Sequence, residues 1–351
     1  MQYIFLLFLS AALFGASTPV GKILLESLPP FLLAGLFYCG AAIGVAPLSL
    51  RHRNSLDFLR IGKKNGALLG GAILFGGILG PVLLLFGLRL ASSASVAMWL
   101  NLELVATALL GAIFFRDHLN LPGWLGVTGT IIASAALSWH EGAIGVPALL
   151  LVAGACLCWG LDNHFTALID AITPSQSTLW KGIAAGCTNI SISLMTEPHV
   201  SSSLPIVWAV IVGIFSYGFS ISLYIYAAQN IGATRSQMIF ASAPFFGVVL
   251  SLFLLDESLS ALQATAALLL AFSITLLIWD KHSHLHEHQP MRHTHSHRHD
   301  DEHHTHGHPQ ELDEEEHTHW HDHEPLSHAH PHWPDIHHRH SHGNTGETDS
   351  G

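Results

Sequence analysis

The chain has 351 residues, of which half are apolar and only 11% are charged, and its formal net charge is -11 with histidine neutral. Ordinary soluble domains carry roughly 25% charged residues, so this composition excludes that class and indicates a membrane protein. The acidity has a separate origin, because 14 of the 25 acidic residues lie in residues 281–351. It therefore gives no information about a substrate of the apolar part.

Ten apolar segments of roughly 18–22 residues, the length that crosses a bilayer as a helix, follow one another before residue 281. We therefore predict an all-α polytopic membrane protein. The first segment has neither a basic region before it nor a small-residue cleavage site, so it is predicted to be a retained transmembrane helix and not a signal peptide. The predicted limits are 3–22, 30–50, 66–88, 93–114, 121–139, 147–168, 176–196, 206–228, 234–254 and 260–279.

The loop between the second and third helices is strongly basic, with Arg51, Arg53, Arg60, Lys63 and Lys64. By the positive-inside rule this loop lies in the cytoplasm, and an even number of helices then puts both termini there too. We predict a multi-pass protein of the inner (cell) membrane, in direct contact with the lipid bilayer.

The two halves of the apolar part repeat each other. Residues 86–139 and 226–279 align at an offset of 140, which pairs Trp139 with Trp279. Because each half has five helices, an odd number, the two copies must have opposite orientations in the membrane. This is the inverted-repeat plan of secondary transporters, whose substrate site lies near the membrane midplane between the repeats. The predicted divisions are a first repeat over 1–140, a second over 141–280 and a tail over 281–351.

Two duplicated motifs carry a family resemblance. Phe14-Gly15 in the first helix and Trp159-Gly160 in the sixth align at an offset of 145. In each half a later helix also ends in an apolar run closed by an acidic residue and a leucine, as FFRDHL and LLDESL. Given twice, this pattern resembles the EamA family of the drug/metabolite transporter superfamily.

The resemblance covers about residues 1–280 and implies a ten-helix bundle that exports or imports small metabolites, often without cofactor or ATP. The sequence departs from the family pattern at Leu104, where many members have a proline in the fourth helix. Ala243-Pro244 keeps that proline in the ninth helix. The family does not require a histidine-rich tail, so the resemblance leaves the substrate class open.

Asp162 lies inside the sixth apolar segment. A charged side chain in hydrocarbon costs at least ~2.5 kcal/mol, so this carboxylate must face a protein interior or a water-filled cavity. Lys181 in the seventh helix lies at the same depth, and the two residues are therefore predicted to form an ion pair. Two interpretations stay open: a structural bridge between the helices, or a pair that opens when a substrate or a proton replaces one partner.

Glu103 lies near the middle of the fourth segment, and Asn163 directly follows Asp162. A carboxyl group in a low dielectric readily takes up a proton and can exchange it near neutral pH. We hypothesise that Glu103 or Asp162 is the coupling site of a proton-driven carrier; the alternative is a protonated Glu103 that only hydrogen bonds across helices. The neighbouring His164 lies off the Asp162 face and is predicted to be a core residue. The predicted substrate and ion site consists of Asp162, Asn163, Glu103 and Lys181.

Small residues, prolines and charged residues at the helix ends give weaker signals. In the third helix, Gly66 with Gly70 and Gly76 with Gly80 have the spacing that lets helix backbones touch in lipid. Prolines inside spans remove helix hydrogen bonds and predict kinks or local unwinding: Pro19, Pro81 and Pro244. Basic residues at span ends are predicted to reach the membrane interface: Lys22, Arg89 and Arg235. Other polar residues at helix ends are predicted to be exposed turns: Asp117, His118, Asp256 and Glu257.

The tail contains 23 of the 28 histidines, largely as His-x-His. Imidazole is mostly neutral at cytoplasmic pH, and alternation puts neighbouring imidazoles on one side of an extended chain, where they can chelate one ion. Since few residues of the tail are apolar, we predict that it is disordered without metal and binds Zn²⁺, Ni²⁺, Co²⁺ or Cu²⁺. The predicted ligands are His282, His284, His286, His288, His293, His295, His297, His299, His317, His319, His321 and His323.

Three functions follow from these patterns. The first is a carrier that exports a small metabolite or ion, with a tail that senses or buffers metal. The second is a divalent-metal exporter whose tail collects the cargo, and the third is a membrane-anchored metal-binding scaffold that transports nothing. No P-loop, G-x-S-x-G motif or closed Cys/His zinc framework occurs before the tail, so neither an enzyme nor an ATP-driven pump is indicated. No cofactor is required and no nucleic-acid partner is expected, while a homodimer stays open.

Overall fold

The structure, a computed structural model, describes most of the apolar part and four stretches of the tail. The helices and the tail strands belong to two separate units, and each unit is described by itself. The described residues are 2–51, 61–114, 121–196, 203–279, 283–288, 291–297, 317–323 and 326–331.

The first unit consists of ten helices, as the sequence predicts. In the described part of the chain, eight of them are long and apolar enough to cross a membrane. The other two are α7, which carries many polar residues, and α10, whose side chains are described only over the apolar stretch Ala261–Leu276. The bounds are α1 Gln2–Leu24, α2 Pro30–Arg51, α3 Gly62–Leu90, α4 Ser93–Phe114, α5 Leu121–His140, α6 Gly145–Ala167, α7 Pro174–Thr196, α8 Ser203–Ile231, α9 Ala233–Phe240 with Ala243–Leu254, and α10 Ala261–Trp279.

Three of these helices are interrupted. Helix α1 turns at Ala16, α4 at residues 100–101 and α9 at residues 241–242. Two of the interruptions lie next to a proline, Pro19 or Pro244, whose ring nitrogen cannot donate to the carbonyl four residues earlier. The kinks predicted at these two prolines are therefore present, and the interruption of α4 was not predicted.

Wide π-helical turns occur at matching places in the two halves. One covers Ala72–Leu79 in α3 and the other covers Gly213–Phe219 in α8, which is nearly the 140-residue offset of the sequence repeat. Such turns are rare and often mark functional sites. Their duplication supports the prediction of two five-helix repeats.

The duplicated aromatic-glycine motif makes equivalent contacts in the two halves. A methyl group placed on Gly15 of α1 would lie 3.0 Å from the backbone nitrogen of Gly247 in α9. One placed on Gly160 of α6 would lie 3.1 Å from the backbone nitrogen of Thr107 in α4. Thr107 and Gly247 are themselves 140 residues apart, so the two contacts are equivalent under the repeat, and each glycine lets a helix of one half approach a helix of the other half closely.

The two glycine pairs predicted in α3 have different surroundings. A methyl group placed on Gly76 would meet the Asp162 side chain of α6, and one placed on Gly80 would lie 2.7 Å from the indole nitrogen of Trp159. Gly66 and Gly70 have nothing within 4 Å of a would-be methyl group. The spacing predicts that the glycines share one face of α3. The position of α6 decides which of these glycines α6 contacts.

Lys22 does not simply reach the membrane interface, as the sequence predicts. Its ammonium donates to the carbonyls of Leu88 and Ala91 at the end of α3, both at 2.7 Å. The last carbonyls of a helix have no partner within it, and a cation there is favoured by the helix dipole. Lys22 therefore ties α1 to the end of α3.

Glu257 is not simply an exposed turn residue either, which corrects the sequence prediction. Its two carboxylate oxygens accept from the backbone N–H groups of Ser93 and Ala94, each at 2.9 Å. These are the first amides of α4, which otherwise have no partner in the helix. The second repeat therefore caps a helix of the first. Among the other residues in these predictions, Asp117, His118 and the side chain of Arg235 lie outside the described part of the chain.

The second unit contains four short strands in two antiparallel pairs, β1 with β4 and β2 with β3. Their register sets histidine opposite histidine, for example His293 opposite His321 and His286 opposite His328. These stretches form paired strands, whereas the sequence predicts disorder without metal. The reason is that the alternation of residue types along them has the two-residue period of a β-strand. The bounds are β1 Ser283–His288, β2 Met291–His297, β3 His317–His323 and β4 Leu326–Pro331.

Candidate substrate and ion site

The predicted ion pair forms inside the helical bundle. The Lys181 ammonium lies 2.7 Å from Oδ1 and 2.6 Å from Oδ2 of Asp162, so it donates to both carboxylate oxygens. Lys181 is only 1% exposed and Asp162 is also buried, so Asp162 faces protein, as its position within an apolar span predicts. Water screens such a pair little, and each partner compensates the charge of the other.

The backbone of α3 makes room for this pair. Because Gly76 has no side chain, the Asp162 carboxylate can lie directly against the π-helical turn. The carbonyl of Gly76 accepts from the Tyr38 hydroxyl at 2.5 Å and from the Trp159 indole N–H at 3.1 Å. The turn is therefore fixed by two aromatic donors beside the ion pair.

Glu103 belongs to a second polar network, centred on the next residue of α6. The Asn163 amide lies 3.0 Å from Oε1 of Glu103, 3.2 Å from the Thr107 hydroxyl and 3.2 Å from Oε1 of Gln237. The amide has two hydrogens for these three acceptors, so they must share them. A protonated Glu103 would add the missing donor.

All four predicted site residues line one cavity. It offers about 40 Å³ to the centres of water molecules, which is room for a few of them. Both repeats contribute to its wall, because α1, α2 and α4 face α6, α7, α8 and α9 across it. Much of the wall is aromatic. The sequence marked Phe14 and Trp159 as parts of a duplicated motif but not as site residues, and it did not mark the other four: Tyr38, Tyr217, Tyr224 and Phe240.

The missed residues gave only a faint signal. An aromatic residue in an apolar helix usually packs in the core, and the sequence of the helix does not indicate which rings contact each other. Phe14 lies 5.3 Å from Phe240 and 5.6 Å from Tyr217 between ring centroids. Gln237, a polar residue inside the ninth span, was the one position that sequence reasoning should have marked.

The charged groups break the symmetry of the repeat. At the offsets that align the two halves, Glu103 corresponds to Ala243, and Asp162 corresponds to Ser17. The two copies thus share their packing motif but not their ionisable residues. Charge is concentrated on α4, α6 and α7 and has no counterpart at the equivalent positions.

His164 behaves as the sequence predicts. It is buried, and its Nε2 lies 3.0 Å from the backbone carbonyl of Thr107. Across the described residues, no three His, Cys, Asp or Glu side chains gather into a group that could hold a metal ion. Of the predicted tail ligands, His282 and His299 lie outside the described residues, and the other ten lie in β1, β2 and β3.

A family model of EamA-like transporters matches this chain twice, over residues 1–139 and 146–279. The chain belongs to the EamA-like transporter family. It is therefore a multi-pass membrane protein of a transporter family, which the sequence resemblance predicts.

Two proteins similar to this chain are named uncharacterized transporters. An uncharacterized transporter of Methanothermobacter thermautotrophicus is 25% identical over 289 residues, covering 76% of this chain and 83% of that protein. The uncharacterized transporter YyaM of Bacillus subtilis is 26% identical over 212 residues, covering 56% of this chain and 68% of that protein. A solved crystal structure matches with a TM-score of 0.61 and 18% identity, covering 79% of this chain and 95% of its own. This last likeness concerns the fold alone.

Proposed function

We propose that the protein is a secondary carrier that moves a small metabolite or ion by alternating access between its two repeats. The observation that carries the proposal is that Asp162, Asn163, Glu103 and Lys181 line one cavity with walls from both repeats. In inverted-repeat carriers the substrate binds between the repeats, which then rock around it.

The charges around the cavity support coupling to a cation. Asp162 and Lys181 compensate each other at 2.6 Å, whereas Glu103 is matched with neutral amide groups of Asn163 and Gln237. An ionised Glu103 would be a buried charge without a counter-ion, which is costly. Either a proton or a positively charged ligand must therefore accompany it, and the proton-driven carrier is one form of this proposal.

The Asp162–Lys181 pair can act in two ways. As a bridge it would hold α6 to α7 throughout the cycle. As a working pair it would open when substrate replaces one partner, because both side chains line the cavity. We favour the second role, since a pair that only joined helices would not need to face open space.

The test is flux into proteoliposomes that contain the full chain, measured with radiolabelled amino acids, nucleosides and transition-metal ions. With the transported compound in hand, Asp162→Asn should reduce flux at least about tenfold, since it removes a charged partner. Asp170→Asn is the matched control, because Asp170 is exposed and bonds to Asn65 at 2.9 Å. If Asp162→Asn keeps full flux and only lowers expression, the bridge interpretation is correct.

A second candidate is export of a divalent transition-metal ion collected by the tail. The pairing of the tail strands favours it, because their register sets histidine opposite histidine and imidazole is a common ligand of transition metals. Deleting residues 281–351 separates the candidates. Loss of metal tolerance alone supports the metal exporter, and unchanged metabolite flux supports the first proposal. Absence of flux with and without the tail leaves a metal-binding scaffold.

A further inference from the structure

A second, smaller cavity lies next to the first. It offers about 10 Å³ to the centre of a water molecule, roughly the space that one water molecule or one small ion needs. The two cavities have Phe14, Glu103 and Phe240 in common in their walls. Glu103 therefore faces both the proposed substrate cavity and this small one.

All three interrupted helices meet at the small cavity. Gly15 beside the turn of α1, Leu100 at the break of α4 and Ala241 at the break of α9 belong to its wall. Interrupted transmembrane helices offer backbone carbonyls that are no longer used by the helix, and carriers use such carbonyls to hold Na⁺ or H⁺.

Two particular carbonyls are released by proline. In a continuous helix the carbonyl of Gly15 would accept from residue 19 and that of Phe240 from residue 244, but both of these are proline and have no N–H. Gly15, Phe240 and Pro244 all belong to the cavity wall. Each of these carbonyls has lost its usual helical donor, and a cation in the cavity is a partner that such an oxygen can take.

The side chains of the small cavity complete an all-oxygen set. Glu103 brings a carboxylate, Thr18 a hydroxyl and Gln237 an amide oxygen. Oxygen donors suit hard cations such as alkali and alkaline-earth ions, and not the softer transition metals that prefer imidazole or thiolate. One carboxylate matches one positive charge, and the small volume favours a small ion.

We propose that this cavity is a monovalent-cation site that takes Na⁺, with Glu103 as its charged ligand. Na⁺ at this point would compensate Glu103, which has no ion-pair partner among the residues that the structure describes. The inference deepens the proposed function, on which it rests for the role of Na⁺ in transport. Na⁺ and a proton would compete for the same carboxylate.

The test is equilibrium binding of ²²Na⁺ to the purified full chain in detergent, with choline as the replacement cation and a chelator to strip metal from the tail. We expect saturable binding that Glu103→Gln weakens at least about tenfold. Asp170→Asn, which removes an exposed carboxylate elsewhere, should bind Na⁺ as the unchanged protein does. Saturable binding that both variants retain, or no saturable binding at all, would overturn the proposal.

A second variant keeps the test decisive if Glu103→Gln does not fold. Thr18→Val keeps the shape of the side chain and removes one oxygen, and it should weaken Na⁺ binding about tenfold while thermal unfolding without Na⁺ is unchanged. If a lower pH raises the unfolding temperature and Na⁺ does not, Glu103 only takes up a proton. That result would overturn the Na⁺ site. Among the described residues, the other charged groups near Glu103 are Asp162 and Lys181.

Failure of this inference differs from failure of the proposed function. If proteoliposomes show Asp162-dependent flux that a Na⁺ gradient does not alter, and Na⁺ does not bind, the carrier stands and the Na⁺ site falls. If Na⁺ binds with the predicted dependence on Glu103 but no tested compound is transported, the site stands and the carrier proposal falls.

Discussion

At the scale of single residues, the bundle contains a buried ion pair and a buried carboxyl group with amide neighbours. Removing two charges from water is costly, so a buried pair adds little net stability over an apolar pair of the same shape. Breaking such a pair is different, because the remaining charge stays buried without compensation. The proposed role in substrate binding gives a reason for a charged pair that lines a cavity.

Lys181→Met should destabilise the protein by about 3–5 kcal/mol, because it leaves the Asp162 carboxylate buried without its partner. Adding Asp162→Asn to that variant should recover much of the loss. The measurement is unfolding of the detergent-solubilised chain by heat or denaturant, for the two single variants and the double variant. Losses that simply add in the double variant would show that the two side chains do not depend on each other.

Gly76 is the position at which a single added methyl group should matter most for the site. Gly76→Ala puts a methyl group against the Asp162 carboxylate, so α3 or the ion pair must move, at a cost of about 1–3 kcal/mol. Gly70→Ala is the matched control in the same helix, because it has open space and gains helix propensity. Thermal unfolding and flux should both fall for Gly76→Ala alone, and equal effects in the two variants would contradict the packing described here.

At the scale of elements, the bundle combines continuous helices with interrupted ones. Helix α6 is unbroken and carries Asp162 and Asn163 on neighbouring faces, so one rigid element presents both polar networks. Helices α1, α4 and α9 are interrupted at the small cavity. Interruptions change the direction of a helix at low cost, and they are the natural hinge points in a carrier of this plan.

The bond from Glu257 to the start of α4 is an element-scale contact that can be tested alone. Glu257→Gln should lower stability by about 1 kcal/mol, because it weakens two charge-assisted bonds to helix N–H groups. Hydrogen exchange at Ser93 and Ala94 should accelerate. Asp256→Asn is the neighbouring control, since Asp256 is exposed and has a positive φ of 50°, which asparagine tolerates. Faster exchange in both variants would point to a general loosening of the loop.

At the scale of the whole molecule, five helices in each repeat require that the repeats run in opposite directions. The matching π-helical turns and the matching glycine contacts agree with this plan. In the proposed carrier, the two similar halves would exchange their conformations and so open the cavity to either side of the membrane in turn.

The orientation in the membrane is a prediction that reporter fusions can test. With both termini and the basic loop of residues 51–64 in the cytoplasm, a cytoplasm-active reporter should work at residue 351 and in that loop. The same reporter placed at residue 142, between α5 and α6, should be silent, and an exported reporter should show the reverse pattern. An active cytoplasmic reporter at residue 142 would mean that the chain is inserted the other way round.

The sequence by itself determined the composition class, the family and the ten helices, because hydrocarbon imposes a strong length and polarity rule on every span. The two repeats and the site of four polar residues stay predictions. Depth along a helix follows from its rise per residue, so even the pairing of Asp162 with Lys181 could be predicted. What surrounds these residues could not, because packing in lipid depends on shape and not on apolar character. Only the tertiary structure decided that six aromatic rings enclose the site and that Gly76 and not Gly66 meets another helix. It also decided that three broken helices converge beside Glu103.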